Sequence, residues 1–388
     1  MFRLITVILL FLCSLLTIFP VPAHQLWYLA VAVSEFSWVF LIFAGLTLIW
    51  TFRKKKYRVA SISLGIISML LFLFPIAGAW SIGRQLNNQL EKELNVKEND
   101  LKGFHQKQPY SFLRMLTGTG ANKIAYTTYH YAVHSGVDLT LNYYPAQVAG
   151  IRPCLVVVHG GSWAKGNSSE LPDVNSYFAN AGYQVVTINY RLAPKFTSPS
   201  PQEDLQAALS FVRQHAVELR ADTNNFVLMG RSAGGQIVLA AAYTLNDPGI
   251  KGVISFYGPT DMLWSYDHPD NPLIMDSRKV MRDFVGGSPQ QVQEKYIASS
   301  PMHHITASTV PTLLVHGRND AHVYQQQSYR LKEKLDSFGV KNFFLAIPWA
   351  THGCEYKLSS PSGQLAVYCV ERFLYAVTNH SLSDRKAE

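Results

Sequence analysis

The sequence predicts an α/β fold, a mostly parallel sheet flanked by helices, preceded by a three-helix transmembrane region. Two observations predict it. Residues 4–21, 26–52 and 59–83 are apolar stretches, each long enough to cross about 30 Å of hydrocarbon as a helix. From about residue 123, short β-prone apolar runs alternate with helix-length amphipathic segments. That alternation implies parallel strands covered on both faces, joined by right-handed crossovers.

Between the second and third spans lie Arg53, Lys54, Lys55, Lys56 and Arg58. Cytoplasmic loops carry the Lys/Arg excess, so this loop is expected to be cytoplasmic and everything after about Arg84 extracytoplasmic. The first span has a rival reading as a signal peptide, from Arg3, the apolar run and Val21, Pro22 and Ala23. Both readings give the same topology. Glu35 is the only charge in the second span. A central acid there costs about 2.5–3.5 kcal/mol on insertion scales, so Glu35 is placed at the interface, with a polar contact among helices as the alternative. Residues 84–122, charge-rich at first, read as a stalk or linker.

The net charge of +8 does not mark a nucleic-acid binder. Much of it sits in the 53–58 run, and no aromatic-interleaved basic patch accompanies it. Four cysteines are too few for a disulfide scaffold, and whether Cys354 and Cys369 pair stays open.

Within 123–388, residues 125–132 and 139–144 flank a turn at 134–138 and read as a hairpin. Strands are expected at 154–159, 183–189, 226–229, 252–256, 312–315 and 342–347, and helices at 201–219, 233–245, 323–338 and 362–377. The long insertion 262–301 carries Trp264, Tyr266, Phe284 and Tyr296 and reads as a lid over a pocket. Ligands of such sheets bind outside the carboxyl ends of the strands.

Three strand ends carry chemistry. Gly230, Arg231, Ser232, Ala233 and Gly234 form Gly-x-Ser-x-Gly between a strand and a helix, the context of a nucleophile elbow. His159, Gly160, Gly161, Ser162 and Trp163 follow another strand, and backbone N–H groups of Gly160 and Gly161, with that of Ala233, suit an oxyanion hole. His159 reads as a brace for that loop. Asp320 follows the 312–315 strand and His352 the 342–347 strand. A serine hydroxyl needs a base, and the base needs an acid to hold its tautomer, so Ser232, His352 and Asp320 are the candidate triad. Asp261 is the alternative acid. Asp204 reads as a first-turn helix acid, and His303, His304, His316 and His322 as structural. Arg231 either binds a carboxylate or pairs within the crevice.

On these motifs, with the Asn-Tyr-Arg-Leu-Ala-Pro run at 189–194, residues 123–378 resemble the α/β-hydrolases. They are most similar to the esterase/lipase branch with its hormone-sensitive-lipase-like and bacterial carboxylesterase-like members. Ser162 departs from the third glycine of many relatives. The same oxyanion motif occurs in feruloyl-esterase-like, prenylcysteine-methylesterase-like and kynurenine-formamidase-like proteins. The resemblance implies a serine hydrolase acting on a small-molecule or lipid ester without metal or other cofactor. An amidase, formamidase or peptidase with the same triad is the alternative, and a non-catalytic interaction protein a third reading.

Overall fold

The computed structural model describes residues 2–52, 57–96 and 106–378. Arg53, Lys54, Lys55 and Lys56 lie outside the described residues. Four helices come first: α1 (Phe2–Leu15), α2 (Trp27–Glu35), α3 (Ser37–Phe52) and α4 (Arg58–Leu94). A short α5 (Phe112–Thr117) leads to the hairpin β1 (Thr127–His134) and β2 (Val137–Tyr144). There follow β3 (Arg152–Val158), α6 (Pro172–Asn180), β4 (Gln184–Ile188), α7 (Ser200–Gln214), β5 (Ala221–Arg231), α8 (Ala233–Thr244) and β6 (Ile250–Phe256). The insertion holds α9 (Met262–Asp267), α10 (Ser277–Val285) and α11 (Pro289–Ala298). The chain closes with β7 (Thr312–Gly317), α12 (Gln326–Ser337), β8 (Asn342–Ile347) and α13 (Pro361–Thr378).

Among the described residues the strands form one eight-stranded sheet in the order β1-β2-β4-β3-β5-β6-β7-β8. β1 pairs with β2 and β2 with β4 antiparallel, and every later pairing is parallel. The continuous apolar runs of β3 and β4 are buried along nearly their whole length, as strands covered on both faces must be. One face packs α7, α8 and the insertion helices through Leu205, Ile237 and Phe284. The other packs α6 and α13 through Phe178, Leu365 and Phe373.

The apolar N-terminal region departs from the expectation of three spans. Among the described residues only α4, with 37 residues, is by itself long and apolar enough to cross a membrane. Helix α1 has 14 residues, about 21 Å at 1.5 Å per residue, which falls short of the hydrocarbon thickness. The second stretch breaks after Glu35, where α2 and α3 meet at 84°. The break follows from what α2 packs on. Ser34 Oγ donates to the Trp349 carbonyl at 3.2 Å, and Ser360 Oγ donates to Glu35 Oε2 at 2.5 Å. Glu35 is therefore a buried contact with the α/β region, bonded to the chain at the start of α13.

The expected stalk is also different. α4 runs on past residue 83 and buries Leu86, Leu90 and Leu94 in the same cluster as β8 and α13. Those positions repeat every four residues and so share one helix face. Upstream, Gly78 lies so close to Trp349 that a Cβ would stand 2.4 Å from its ring. The apolar helix and the sheet are thus one packed body at this seam. Leu90→Ala should therefore cost about 2–5 kcal/mol, as buried Leu→Ala changes do. Urea unfolding of the detergent-solubilised chain measures it. An unchanged midpoint would restore the stalk reading.

Candidate active site

Ser232 sits at the sharp turn between β5 and α8 with φ 53° and ψ −120°, a backbone region that costs of order 1–3 kcal/mol for a residue with a side chain. The turn is closed enough that a Cβ on Gly234 would stand 2.3 Å from the Val158 carbonyl oxygen. Glycine is required there by space alone. The serine is presented at the carboxyl end of the central strand, where the sheet order places the crevice.

The loop after β3 comes up against it. A Cβ on Gly160 would lie 3.3 Å from Ser232 Cβ, so this backbone passes directly over the serine. Gly161 has φ 108°, and its carbonyl accepts from Ala164 and Lys165 N–H groups at 3.0 and 3.1 Å, which curls the loop. Trp163 stacks on Phe284 at 4.3 Å and donates Nε1–H to Gln236 Oε1 at 3.0 Å. His159 stacks on Tyr190 at 4.3 Å, and its Nδ1 bonds the Gly160 carbonyl at 2.7 Å. Burial pushes the His159 imidazole down to about 4, so it is neutral and braces the loop.

Asp320 and His352 meet on the other side. His352 Nδ1 and Asp320 Oδ2 are 2.7 Å apart, both residues being buried. Asp320 Oδ1 accepts from the His322 and Val323 N–H groups at 2.8 and 3.0 Å. Burial alone would raise the Asp320 carboxyl, but the facing His352 and the hydrogen bonds from His316 and His352 outweigh it and hold the carboxyl well below the usual range. Ser232 and His352 line the same two cavities, one of about 70 Å³ under the insertion helices and one of about 540 Å³ beside the Gly160 loop. No hydrogen bond joins Ser232 Oγ to His352 among the described residues. Such bonds commonly tighten only when substrate is bound.

The remaining candidates separate cleanly. Asp261 caps α9 through the Trp264 N–H at 3.0 Å and pairs with Arg330 at 2.9 Å. Asp204 holds Arg191 at 2.9 Å and His134 at 2.7 Å. Arg231 pairs within the crevice, its Nε 3.2 Å from Glu355 Oε1, while the Tyr257 hydroxyl donates to the same carboxylate. His316 bonds Ser328 Oγ at 2.8 Å and the Val323 carbonyl at 2.9 Å, underneath the Asp320 turn. Cys354 and Cys369 are both buried and free. Asp320, His322 and His352 each present a ligand atom within 4.8 Å of the others, a spacing a metal accepts, but the Asp320–His352 hydrogen bond already engages two of the three.

Sequence reasoning missed the N-terminal wall of the site. His24, Trp27 and Tyr28 line the larger cavity. The His24 N–H donates to the Leu273 carbonyl at 3.0 Å, and Asn319 Nδ2 donates to the Thr17 carbonyl at 3.1 Å. Trp27 Nε1 donates to the His352 carbonyl at 2.9 Å. The Trp27 ring packs edge-on against His322 at 5.1 Å, and His322 lies 5.0 Å from His352. Burial, then the nearby His352, pushes His322 down to about 4, so this neighbour of His352 is uncharged. No local signal marks Trp27, because its partner is 325 residues away.

The comparisons with known proteins agree with this fold. Residues 141–335 match the family model BD-FAE. The chain is similar to the probable carboxylic ester hydrolase LipM of Mycobacterium tuberculosis, 29% identical over 254 residues, covering 61% of this chain and 58% of that protein. It is also similar to the esterase LipC of the same organism, 26% identical, with 58% of each chain covered. The chain therefore spans a little over half the length of these curated relatives. Among solved structures, the propionate-bound esterase Est2 of Thermogutta terrifontis has the same fold, with a TM-score of 0.51 at 23% identity over 64% of this chain and 91% of that one.

Trp27→Phe keeps the ring and removes its N–H donor. A neutral hydrogen bond is worth about 0.5–1.5 kcal/mol, so kcat should fall roughly two- to tenfold. Steady-state kinetics on a chromogenic ester checks this, and an unaltered kcat would leave Trp27 with a packing role only.

Proposed function

Because this chain belongs to the BD-FAE family of α/β-hydrolases, we propose that it is a membrane-anchored serine hydrolase that cleaves carboxylic esters outside the cytoplasm. The observation that carries the reading is the meeting at one crevice of Ser232 on its strained turn, the Gly160 loop and the His352–Asp320 pair.

In this reading His352 Nε2 takes the Ser232 proton as Oγ bonds to the ester carbonyl carbon. The N–H groups of Gly160, Gly161 and Ala233 hold the oxyanion, each donor being worth about 3–4 kcal/mol. The C–O bond to the alcohol breaks, and His352 returns the proton to the departing oxygen. Water then adds to the acyl-enzyme, giving its proton to His352, and the acid leaves as Ser232 regains a proton. Asp320, kept ionised, holds the His352 tautomer and balances the imidazolium.

Membrane anchoring is supported by the length and composition of α4 and by exposed apolar side chains such as Leu9, Leu46 and Leu70 on the N-terminal helices. With the cationic run before α4, the positive-inside rule puts the crevice on the far side. Tyr28, exposed and at the start of the apolar helices, lines the larger cavity, which suits an enzyme working close to the bilayer surface.

Ser232→Ala should lower p-nitrophenyl ester hydrolysis by about 10⁶ in kcat, the scale of comparable nucleophile deletions. It should also abolish labelling by a fluorophosphonate probe. Full activity in the variant would remove Ser232 from the reaction. Protease added to intact spheroplasts should digest the α/β region. Protection there, with digestion only in inverted vesicles, would reverse the topology.

A further inference from the structure

One buried acid lining the smaller cavity has no role in the mechanism above. Asp270 lies between α9 and α10, is 7% exposed, and lines the same small cavity as Ser232 and His352. Its backbone N–H donates to Ser277 Oγ at 3.0 Å, which fixes that stretch of chain. Its carboxylate makes no hydrogen bond and no ion pair among the described residues. Arg330, the cation over the nearby Trp264 ring at 5.2 Å, is already paired with Asp261. Arg278 is held by the Tyr266 carbonyl at 2.9 Å. His322, which shares the cavity, is neutral.

A buried carboxylate without a cation is costly to keep charged. Burial and then the negative Asp320 push the Asp270 carboxyl up to about 8. The rest of the lining bears on which cation would pair with it. Trp264, stacked on His268 at 4.3 Å and covered by Arg330, meets Tyr324 edge to face with centroids 6.4 Å apart, and Met275 and Met281 complete the wall. An unpaired buried carboxylate beside the Tyr324 ring is chemistry that holds an ammonium group. At about 70 Å³ the cavity admits only a compact one.

We propose that Asp270 is a specificity-determining residue that binds a compact ammonium group carried by the substrate next to its scissile ester. The proposal rests on the ester-hydrolase reading of the site. The ammonium belongs either to the acyl part, as in an aminoacyl ester, or to the alcohol part, as in an ester of an amino alcohol.

Two pairs of esters tell these sources apart with the full chain in detergent at about pH 7. The first compares alanyl with propionyl and lactyl esters of one neutral alcohol. The second compares propionyl choline with propionyl 3,3-dimethylbutanol. The ammonium member of one pair should show at least about a tenfold higher kcat/KM than its uncharged isostere, and Asp270→Asn should bring that ratio to within about twofold of one. The lactyl ester should not share the preference. Ratios near one in both pairs for the wild type would overturn the proposal, as would a preference that survives Asp270→Asn or a lactyl ester that matches the alanyl ester. Fluorophosphonate labelling and propionyl ester hydrolysis report the ester-hydrolase reading separately. If these persist while the ratios are flat, only the ammonium site falls. If both are absent, the two fall together.

Discussion

A parallel sheet has to be covered on both faces, and here part of one cover is the far end of an apolar helix. Leu86, Leu90 and Leu94 of α4 pack with Phe343, Leu345 and α13 under β8. Burying three leucines is worth roughly 1.5–3 kcal/mol each, enough to hold that seam shut. With it shut, the N-terminal region cannot swing on a tether. Trp349 is clamped between Gly78, Phe74 and Ser34. The chain before α2 is then drawn across the crevice, which brings Trp27 to the His352 carbonyl.

The same constraint accounts for the break in the second apolar stretch. A continuous helix through residues 26–52 would carry Ser34 and Glu35 away from the surface that bonds them. Turning by 84° after Glu35 keeps the Ser360 hydroxyl on its carboxylate and leaves α3 free to lie along α4. A hydropathy profile contains no trace of this, since Glu35 scores only as one polar residue in an apolar run.

Around the crevice, charged groups settle their neighbours in pairs. Asp320 is ionised because His352, His316 and two backbone N–H groups face it. Arg231 and Glu355 pair with each other beside the Ser232 turn. His159 and His322 are buried into neutrality, and His322 thus gives His352 an uncharged imidazole as neighbour. Asp270 is the member of this set that finds no partner within the described chain.

Much of the site was legible in the sequence because its pieces are local. A glycine-flanked serine between a strand and a helix, a His-Gly-Gly turn after a strand, and an Asp and a His each following a strand are written in a few consecutive residues. The alternation of strands and helices brings those turns to one edge without further information. The amphipathic spacing of residues 86, 90 and 94 was also present, but the charges between them masked it. What the sequence by itself determined was the α/β order, the strand ends that carry the candidate residues, and the apolar character of the first 83 residues. What only the tertiary structure decided was which surfaces those apolar residues cover: one helix long enough to span, one broken on Glu35, and a tryptophan set against the histidine 325 residues away. Periodicity records that a side chain is buried, while its partner depends on how distant segments pack.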